Sequence, residues 1–211
     1  MAIVIALGEY AVYAGPPFVT DDPEPVEYRH WEFYGASQYE NSKDGITGTA
    51  PHAEVNYGIV PDMQFIHETV LVPQIGIFPL IELPTGNSYR GLGVGETTIF
   101  FPVWIQKKLG AWLTYGGGGY WHNRAGPAGK DYWQTGWELQ REISKMLTIG
   151  AEIFNVTART EDGSDETGYN AGMTVNFSER EHLLLSAGND LNGPNSLFMY
   201  LAYQATLGPA K

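Results

Sequence analysis

The chain has 211 residues, of which 43% are hydrophobic and 13% aromatic. This composition excludes disorder, and the length is sufficient for one large all-β domain but short for two. The formal net charge of -12 argues against nucleic acid as a partner, because phosphates attract a basic surface. The absence of cysteine excludes disulfides, thiolate metal sites and cysteine nucleophiles. No run of about 18 apolar residues occurs, which excludes a transmembrane helix.

The first residues allow two interpretations. Residues 1–14 contain an apolar stretch and end in Val12-Tyr13-Ala14, as a signal peptide does before its cleavage site. Neither Lys nor Arg precedes that stretch, and Glu9 interrupts it. The segment is therefore expected to be a remnant signal peptide, with an ordinary N-terminal strand or tail as the alternative. Residues 15–26 are expected to form a periplasmic N-terminal segment, and residues 27–207 the β-barrel.

Apolar and polar residues alternate along ten segments, as in strands with two different faces. Between Thr49 and Val60, for example, Val55 and Tyr57 face away from Glu54. Most segments exceed the usual strand length of about 5–6 residues and fit a tilted membrane strand of about 9–11. The predicted strands are Glu27–Glu40, Thr49–Val60, Gln74–Pro84, Glu96–Gln106, Ala111–His122, Tyr132–Glu142, Leu147–Thr157, Gly168–Phe177, His182–Asp190 and Ser196–Leu207.

Short turns alternate with longer loops between these strands. This sorting is typical of outer-membrane barrels, which have short periplasmic turns and long external loops. The predicted tight turns are Lys107–Gly110, Ile143–Met146 and Ser178–Glu181, and the longer loops are Asn41–Gly48, Thr85–Gly95, Asn123–Asp131, Ala158–Thr167 and Leu191–Asn195. Pro61–Pro73 breaks the rule, since it is long but lies on the short-turn side. Within it, Met63–Val72 is apolar enough for a further short strand, a plug or a folded turn.

The fold predicted from these patterns is all-β, an antiparallel up-and-down transmembrane β-barrel of about ten strands, with twelve as the alternative. Its polar face is rich in carboxylates, which cannot fill a dry core because an unpaired buried charge is very costly. That face either meets water or forms hydrogen-bonded networks. An antiparallel sheet with one wet face gives the same alternation and remains an alternative. The residues predicted to line the lumen are Glu32, His52, Glu54, Glu82, Glu96, Gln106, Glu138, Gln140 and Glu152.

Tryptophans lie near the ends of several predicted strands, where aromatic belts meet the membrane surface. The predicted interface aromatics are Trp31, Trp112, Trp121, Trp133 and Trp137. Three prolines, Pro51, Pro79 and Pro102, fall within strand patterns. They predict bulges or pairing gaps, since proline has no N–H to donate.

No motif predicts catalysis. Gly91–Gly95 is glycine-rich but lacks the following GK[ST] of a phosphate loop, and His67-Glu68 lacks the second histidine of a zinc helix. The acidic segment Glu161–Glu166 does not have EF-hand spacing, which favours a solvated loop. The chain is therefore expected not to be an enzyme and to need no cofactor and no metal.

Several uncommon strings occur in order along the chain. They include Gly15–Val26 (GPPFVTDDPEPV), Phe78–Gly86 (FPLIELPTG) and Thr114–Trp121 (TYGGGGYW). Together they resemble bacterial outer-membrane proteins grouped with the phenol-degradation meta-pathway barrel family. The resemblance implies a Gram-negative outer-membrane barrel in contact with outer-membrane lipid. It also implies a transporter of small compounds, hydrophobic ones included. It carries no catalytic residues.

Three functional hypotheses follow. The first is a porin-like passive channel or transporter for small molecules, hydrophobic ones included. The second is a closed structural barrel, or one that binds partners through its loops, without transport. The third is a soluble β-barrel that binds a ligand.

Overall fold

The computed structural model describes residues 2–4, 17–24, 26–43, 45–58, 64–66, 72–77, 79–82, 97–123, 129–193 and 196–209. Within these ranges no helix has the length and apolarity to cross a membrane. The strands in them are β1 (Ala2–Val4), β2 (Trp31–Ser42), β3 (Gly45–Tyr57), β4 (Gln64–Ile66), β5 (Gln74–Gly76), β6 (Leu80–Glu82), β7 (Thr98–Leu109), β8 (Trp112–His122), β9 (Tyr132–Ser144), β10 (Leu147–Val156), β11 (Glu166–Asn176), β12 (Glu181–Asn192) and β13 (Leu197–Leu207).

The strands form a single sheet in which most neighbours in sequence are also neighbours in space. The hydrogen-bonded order is β1-β6-β7-β8-β9-β10-β11-β12-β13-β2-β3, and β5, paired with β4, adds to β7 beside β6. Pairing is antiparallel from β2 through β13, whereas β1 pairs with β6 in parallel. β1 also approaches β3, so the two ends of the order lie close together.

The prediction of an all-β, antiparallel, up-and-down fold is confirmed. Each of the ten predicted strands overlaps an observed one, and Gln74–Pro84 is split into β5 and β6, which pair with successive parts of β7. Pro79 lies in this interruption, where a residue without an N–H cannot extend the ladder. β4 falls within Met63–Val72 and completes the alternative count of twelve antiparallel strands, β2 through β13.

The connections separate into two ends of the sheet. β7–β8, β9–β10 and β11–β12 are joined by the predicted tight turns, while residues 157–165 form a longer connection at the opposite end, between β10 and β11. Of the predicted loop Asn123–Asp131, residues 124–128 lie outside the described residues. The prediction of a long loop over Asn41–Gly48 is wrong, because β2 continues to Ser42 and β3 begins at Gly45. Gly45 has φ +130°, a conformation open to glycine that lets the chain reverse within a few residues. Thr85–Gly95 lies outside the described residues.

Burial alternates along each long strand and defines two faces. We call the face that contacts residues 17–24 the inner face and the other the outer face. On β7, Phe100 and Trp104 are buried on the inner face, whereas Phe101 and Ile105 on the outer face are exposed. The exposed outer-face residues of the other strands are also large and apolar, among them Phe33, Tyr39, Trp133, Trp137, Leu139, Ile149, Ile153, Tyr169, Met173, Met199, Leu201 and Tyr203.

One part of the inner face is aromatic and closely packed. The rings of Phe100 and Trp121 stack with centroids 4.5 Å apart, and Tyr132 stacks on Trp121 at 5.8 Å. The run Gly116–Gly119 on β8 leaves room for this packing, since a Cβ at Gly117 would overlap the β7 backbone and one at Gly119 would reach the Phe100 ring. The glycines thus let β7 and β8 approach closely while large rings fill the interior.

Candidate functional site: an inner segment held by carboxylates and amides

Residues 17–24, called here the inner segment, lie against the inner face. Phe18, Val19 and Thr20 are buried, with 1–4% of their surface exposed. The segment runs from the middle of β11 and β12, past β9 and β10, to β5 and β7, as its hydrogen bonds show. The described interior is therefore occupied by the chain's own N-terminal region.

Glu152 of β10 provides the most direct anchor. Its two carboxylate oxygens accept hydrogen bonds from the backbone N–H groups of Val19 at 2.7 Å and Thr20 at 2.8 Å. The Asn170 amide donates to the same carboxylate at 3.1 Å. Bonds to a carboxylate are about twice as strong as neutral ones, so this contact fixes the middle of the inner segment.

Neutral side chains hold the carbonyl groups of the segment. Asn170 and Ser186 donate to the Pro17 oxygen at 3.3 and 2.6 Å. Gln134 of β9 donates to the Val19 oxygen at 3.1 Å. These contacts satisfy backbone acceptors that would otherwise be buried without a partner.

The far end of the segment contacts β5 and β7. Gln74 donates to the Pro23 oxygen at 3.3 Å, and Gln106 donates to the Glu24 carboxylate at 2.6 Å. Inner-face side chains from six strands thus take part in holding one short segment.

Glycines on the inner face provide the space that the segment fills. A Cβ at Gly136 would overlap Thr20 Oγ1, and one at Gly150 would lie 2.9 Å from the Phe18 ring. A Cβ at Gly172 would lie 3.1 Å from that ring. These positions on β9, β10 and β11 form a cradle for Phe18 and Thr20 that larger residues would close.

The interior is acidic. The inner face carries Glu32, Glu54, Glu138 and Glu152, and the inner segment adds Asp21, Asp22 and Glu24. The ion pairs of His30 with Glu27 and of His122 with Asp131 include none of these carboxylates. Among the described residues, no cluster of three or more His, Asp or Glu side chains is arranged to hold a metal ion.

Burial gives Asp22 an unusual protonation behaviour. Burial, and after it the nearby Glu24 carboxylate, raises the pKa of Asp22 from 3.8 to about 7. The Glu24 N–H donates to Asp22 at 2.7 Å and opposes this shift. Burial and the neighbouring Asp22 also raise the pKa of Asp21. The seated segment therefore retains a proton on Asp22 at pH values where an exposed aspartate is ionised.

Seating of the inner segment is expected to weaken as pH rises toward about 7. In that range the seated state binds a proton that the released state, with its ordinary pKa of 3.8, does not bind, so each rise in pH favours release. Because the chain has no cysteine, a single Thr20→Cys variant can report release by thiol labelling. The labelling rate, divided by that of a free thiol at the same pH, should rise between pH 5 and 7.5.

The control for this titration is Asp22→Asn, which removes the carboxyl group but keeps its acceptor oxygen. It should flatten the rise. Some pH dependence is expected to persist in this variant, because other ionisable groups lie near the segment. Glu24 and Glu32 interact electrostatically with Asp22, and Asp22 does so with Tyr115 and Glu138. An unchanged slope in Asp22→Asn would contradict the assignment.

The structure places the predicted lumen residues as follows. Glu54, Gln106, Glu138 and Glu152 are buried on the inner face with 0–5% exposure, and Glu32 and Gln140 are half-buried on the same face. The side chains of His52 and Glu82, and all of Glu96, lie outside the described residues. That these residues line a lumen stays a prediction, and at Gln106 and Glu152 the contact made is with the inner segment.

Four of the five predicted interface tryptophans are exposed on the outer face or at its edge, namely Trp31, Trp112, Trp133 and Trp137. Trp121 differs: it is 2% exposed and its indole N–H donates to the inner-face Gln134 at 3.1 Å. Its position near the end of β8 predicts a place in the aromatic belt at the membrane interface. The alternation of side chains along the strand instead places it on the inner face. A membrane-interface role for the four outer residues stays a prediction.

Sequence reasoning did not anticipate the inner segment, since it assigned residues 15–26 to the periplasm as one unit. The available signal was the inner-face glycines Gly136, Gly150 and Gly172, which share a face with glutamates and amides. Small residues beside polar donors and acceptors mark a place where another backbone approaches closely. Of residues 1–14, the described part is β1; the rest of the predicted signal peptide lies outside the described residues.

Comparison with solved structures shows the fold. The chain is similar to an outer membrane channel from Pseudomonas putida F1, with a TM-score of 0.60 and 14% sequence identity over 88% of this chain and 98% of that one. A de novo designed transmembrane β-barrel aligns over 87% of this chain and 100% of its own length, with a TM-score of 0.36 and 8% identity. No protein-family model and no curated protein matches the chain.

Proposed function

We propose that this protein is a bacterial outer-membrane channel for small molecules, held closed in the described state by the inner segment. The observation that carries the proposal is the contrast between the two faces of one sheet. The outer face exposes large apolar side chains on strand after strand, among them Phe101, Ile105, Leu139 and Ile153. The inner face carries buried glutamates and amides. An apolar surface of this extent is suited to contact with lipid rather than with water.

The similarity to a channel of the outer membrane supports the same conclusion at the level of the fold. The resemblance to the phenol-degradation meta-pathway barrels supports small compounds, hydrophobic ones included, as solutes. The aromatic part of the inner face, with Phe100, Trp104 and Trp121, offers an apolar surface for such compounds. The soluble-binder hypothesis is less well supported, because it leaves the outer face exposed to water.

A closed barrel that works through its loops is the second candidate. The observations that favour it are the filled interior and the hydrogen bonds among described residues at the loop end of the sheet. Asp131 accepts hydrogen bonds from Tyr120 at 2.7 Å and from the Asn123 N–H at 3.0 Å. The Asn123 amide also donates to the Arg159 oxygen at 3.3 Å, which links the end of β8 to the connection between β10 and β11.

Planar-bilayer recording distinguishes the two candidates. The wild-type protein should give small or rare current steps, because the inner segment fills the interior, and a protein with the segment displaced should give larger and longer ones. Gly136→Val is a suitable displacing variant, since its side chain takes the place of Thr20. Gly35→Val is the matched control, since a Cβ there meets nothing within 4 Å. No current from either correctly inserted variant would support the closed barrel instead.

A further inference from the structure

The inner segment shows which chemistry the wall recognises. At Glu152 the wall binds two N–H donors, those of Val19 and Thr20, at 2.7 and 2.8 Å. The side chain of Val19 packs with the aromatic group that includes Phe100, Trp104 and Trp121. One carboxylate therefore receives N–H groups next to a surface that accepts a small apolar body.

A second carboxylate beside Glu152 has an oxygen without a partner. Glu138 of β9 lies directly opposite Glu152 of β10 in the pairing register. It is 0% exposed, its Oε1 accepts from Gln140 at 2.8 Å, and its Oε2 has no hydrogen-bond partner. Adjacent positions across two strands have Cβ atoms about 4.5–5.5 Å apart, so both carboxylates can serve one ligand.

Other buried side-chain oxygens on the inner face also accept no hydrogen bond. Besides Glu138 Oε2, they include Asn170 Oδ1 and Gln106 Oε1. The surroundings of Glu138 and Glu152 thus have buried oxygen acceptors that receive no hydrogen bond from the described residues. Such a site is complementary to a cation that carries N–H groups.

We propose that the inner face of β9 and β10 binds a small organic ammonium ion, whose N–H groups contact Glu138 and Glu152 and whose apolar body packs on the aromatic group in place of Val19. An ammonium group supplies three donors, and aromatic faces attract cations as well as apolar groups. The inner segment and the ammonium ion then compete for Glu152. The inference rests on the proposed function in naming the class of solute, but the binding that it describes does not require conduction.

Three ligands of nearly equal shape and different charge provide the test. The probes are 2-phenylethylammonium, neutral 2-phenylethanol and anionic phenylacetate, titrated against the full chain folded in detergent, with binding followed by calorimetry. The ammonium ion should bind about tenfold more tightly than the alcohol, because charge-assisted hydrogen bonds exceed neutral ones, and phenylacetate should bind most weakly. The ammonium ion alone should also speed thiol labelling of Thr20→Cys, since it displaces the inner segment.

Two substitutions locate the site. Glu138→Gln should reduce the affinity for 2-phenylethylammonium by about tenfold and leave that for 2-phenylethanol unchanged. Glu142→Gln, on the same strand but exposed, should change neither. If Glu138→Gln does not fold, the charge series on the wild-type protein decides the question. Equal affinity for the three probes, or no binding of the ammonium ion, would overturn the proposal.

The proposed ammonium site and the proposed channel can be refuted independently of each other. Ammonium binding without any current would leave the site in place and refute the channel. Current from Gly136→Val without a preference for the ammonium ion in the binding assay would leave the channel in place and refute the site.

Discussion

Glu152→Ala is expected to release the inner segment and to accelerate thiol labelling of Thr20→Cys by about 100-fold. The substitution removes the acceptor of the Val19 and Thr20 N–H groups, and hydrogen bonds to a charged group are worth about 1.5–3 kcal/mol each. Removing the buried carboxylate also relieves its desolvation cost, which offsets part of this loss. The net loss of seating free energy is then about 3 kcal/mol, or a factor of about 100 in the ratio of seated to released segment. The same variant should show larger and longer current steps than wild type in bilayers.

Two variants make this result specific. Glu152→Gln keeps one acceptor oxygen and should give an intermediate labelling rate. Glu142→Ala removes an exposed carboxylate near the end of β9 and should label as slowly as wild type. Equal rates in Glu152→Ala and Glu142→Ala would mean that other contacts, such as those of Ser186 and Gln134, hold the segment without Glu152.

The strands were predictable because a period of two in hydrophobicity follows directly from strand geometry. β10, for example, alternates exposed Ile149, Ala151 and Ile153 with buried Glu152 and Phe154. The loop over Asn41–Gly48 was mispredicted because polar residues and glycine suit both a loop and a hairpin. There the pairing of Glu40 with Thr47 and Asn41 with Ile46, a tertiary contact, decides between them.

The candidate site was predictable in part. Alternation put Glu138 and Glu152 on one face, since a one-residue shift in either strand would move the whole apolar set as well. What covers them could not be read from the pattern. The partner of Glu152 is the backbone of Val19 and Thr20, and any residue types could supply those N–H groups. Long-range contacts made through the backbone leave little trace in the side-chain sequence.

The aromatic part of the inner face is expected to contribute most to stability, and Trp104 is its most buried member. Its indole is 0% exposed and lies 6.4 Å from the Phe100 ring in an edge-on arrangement. A Cβ at Gly117 on β8 would lie 3.1 Å from the same indole. The β8 backbone and the neighbouring rings therefore pack tightly against Trp104. Trp104 Nε1 has no hydrogen-bond partner, so packing rather than polar bonding holds the ring.

Trp104→Ala should therefore lower the free energy of unfolding by about 3–5 kcal/mol, the usual range for removing a large buried aromatic ring. A guanidinium chloride titration in detergent micelles would measure it, with an unchanged slope showing that the folded state is retained. Trp104→Phe should cost less, because it keeps a ring and removes an N–H that has no partner. Phe101→Ala, one residue away but 53% exposed on the outer face, should also cost less, since it leaves no cavity inside the packed group. A loss in Trp104→Ala no greater than in Phe101→Ala would show that the interior does not depend on this ring and that the inner segment or the strand pairing stabilises the sheet instead.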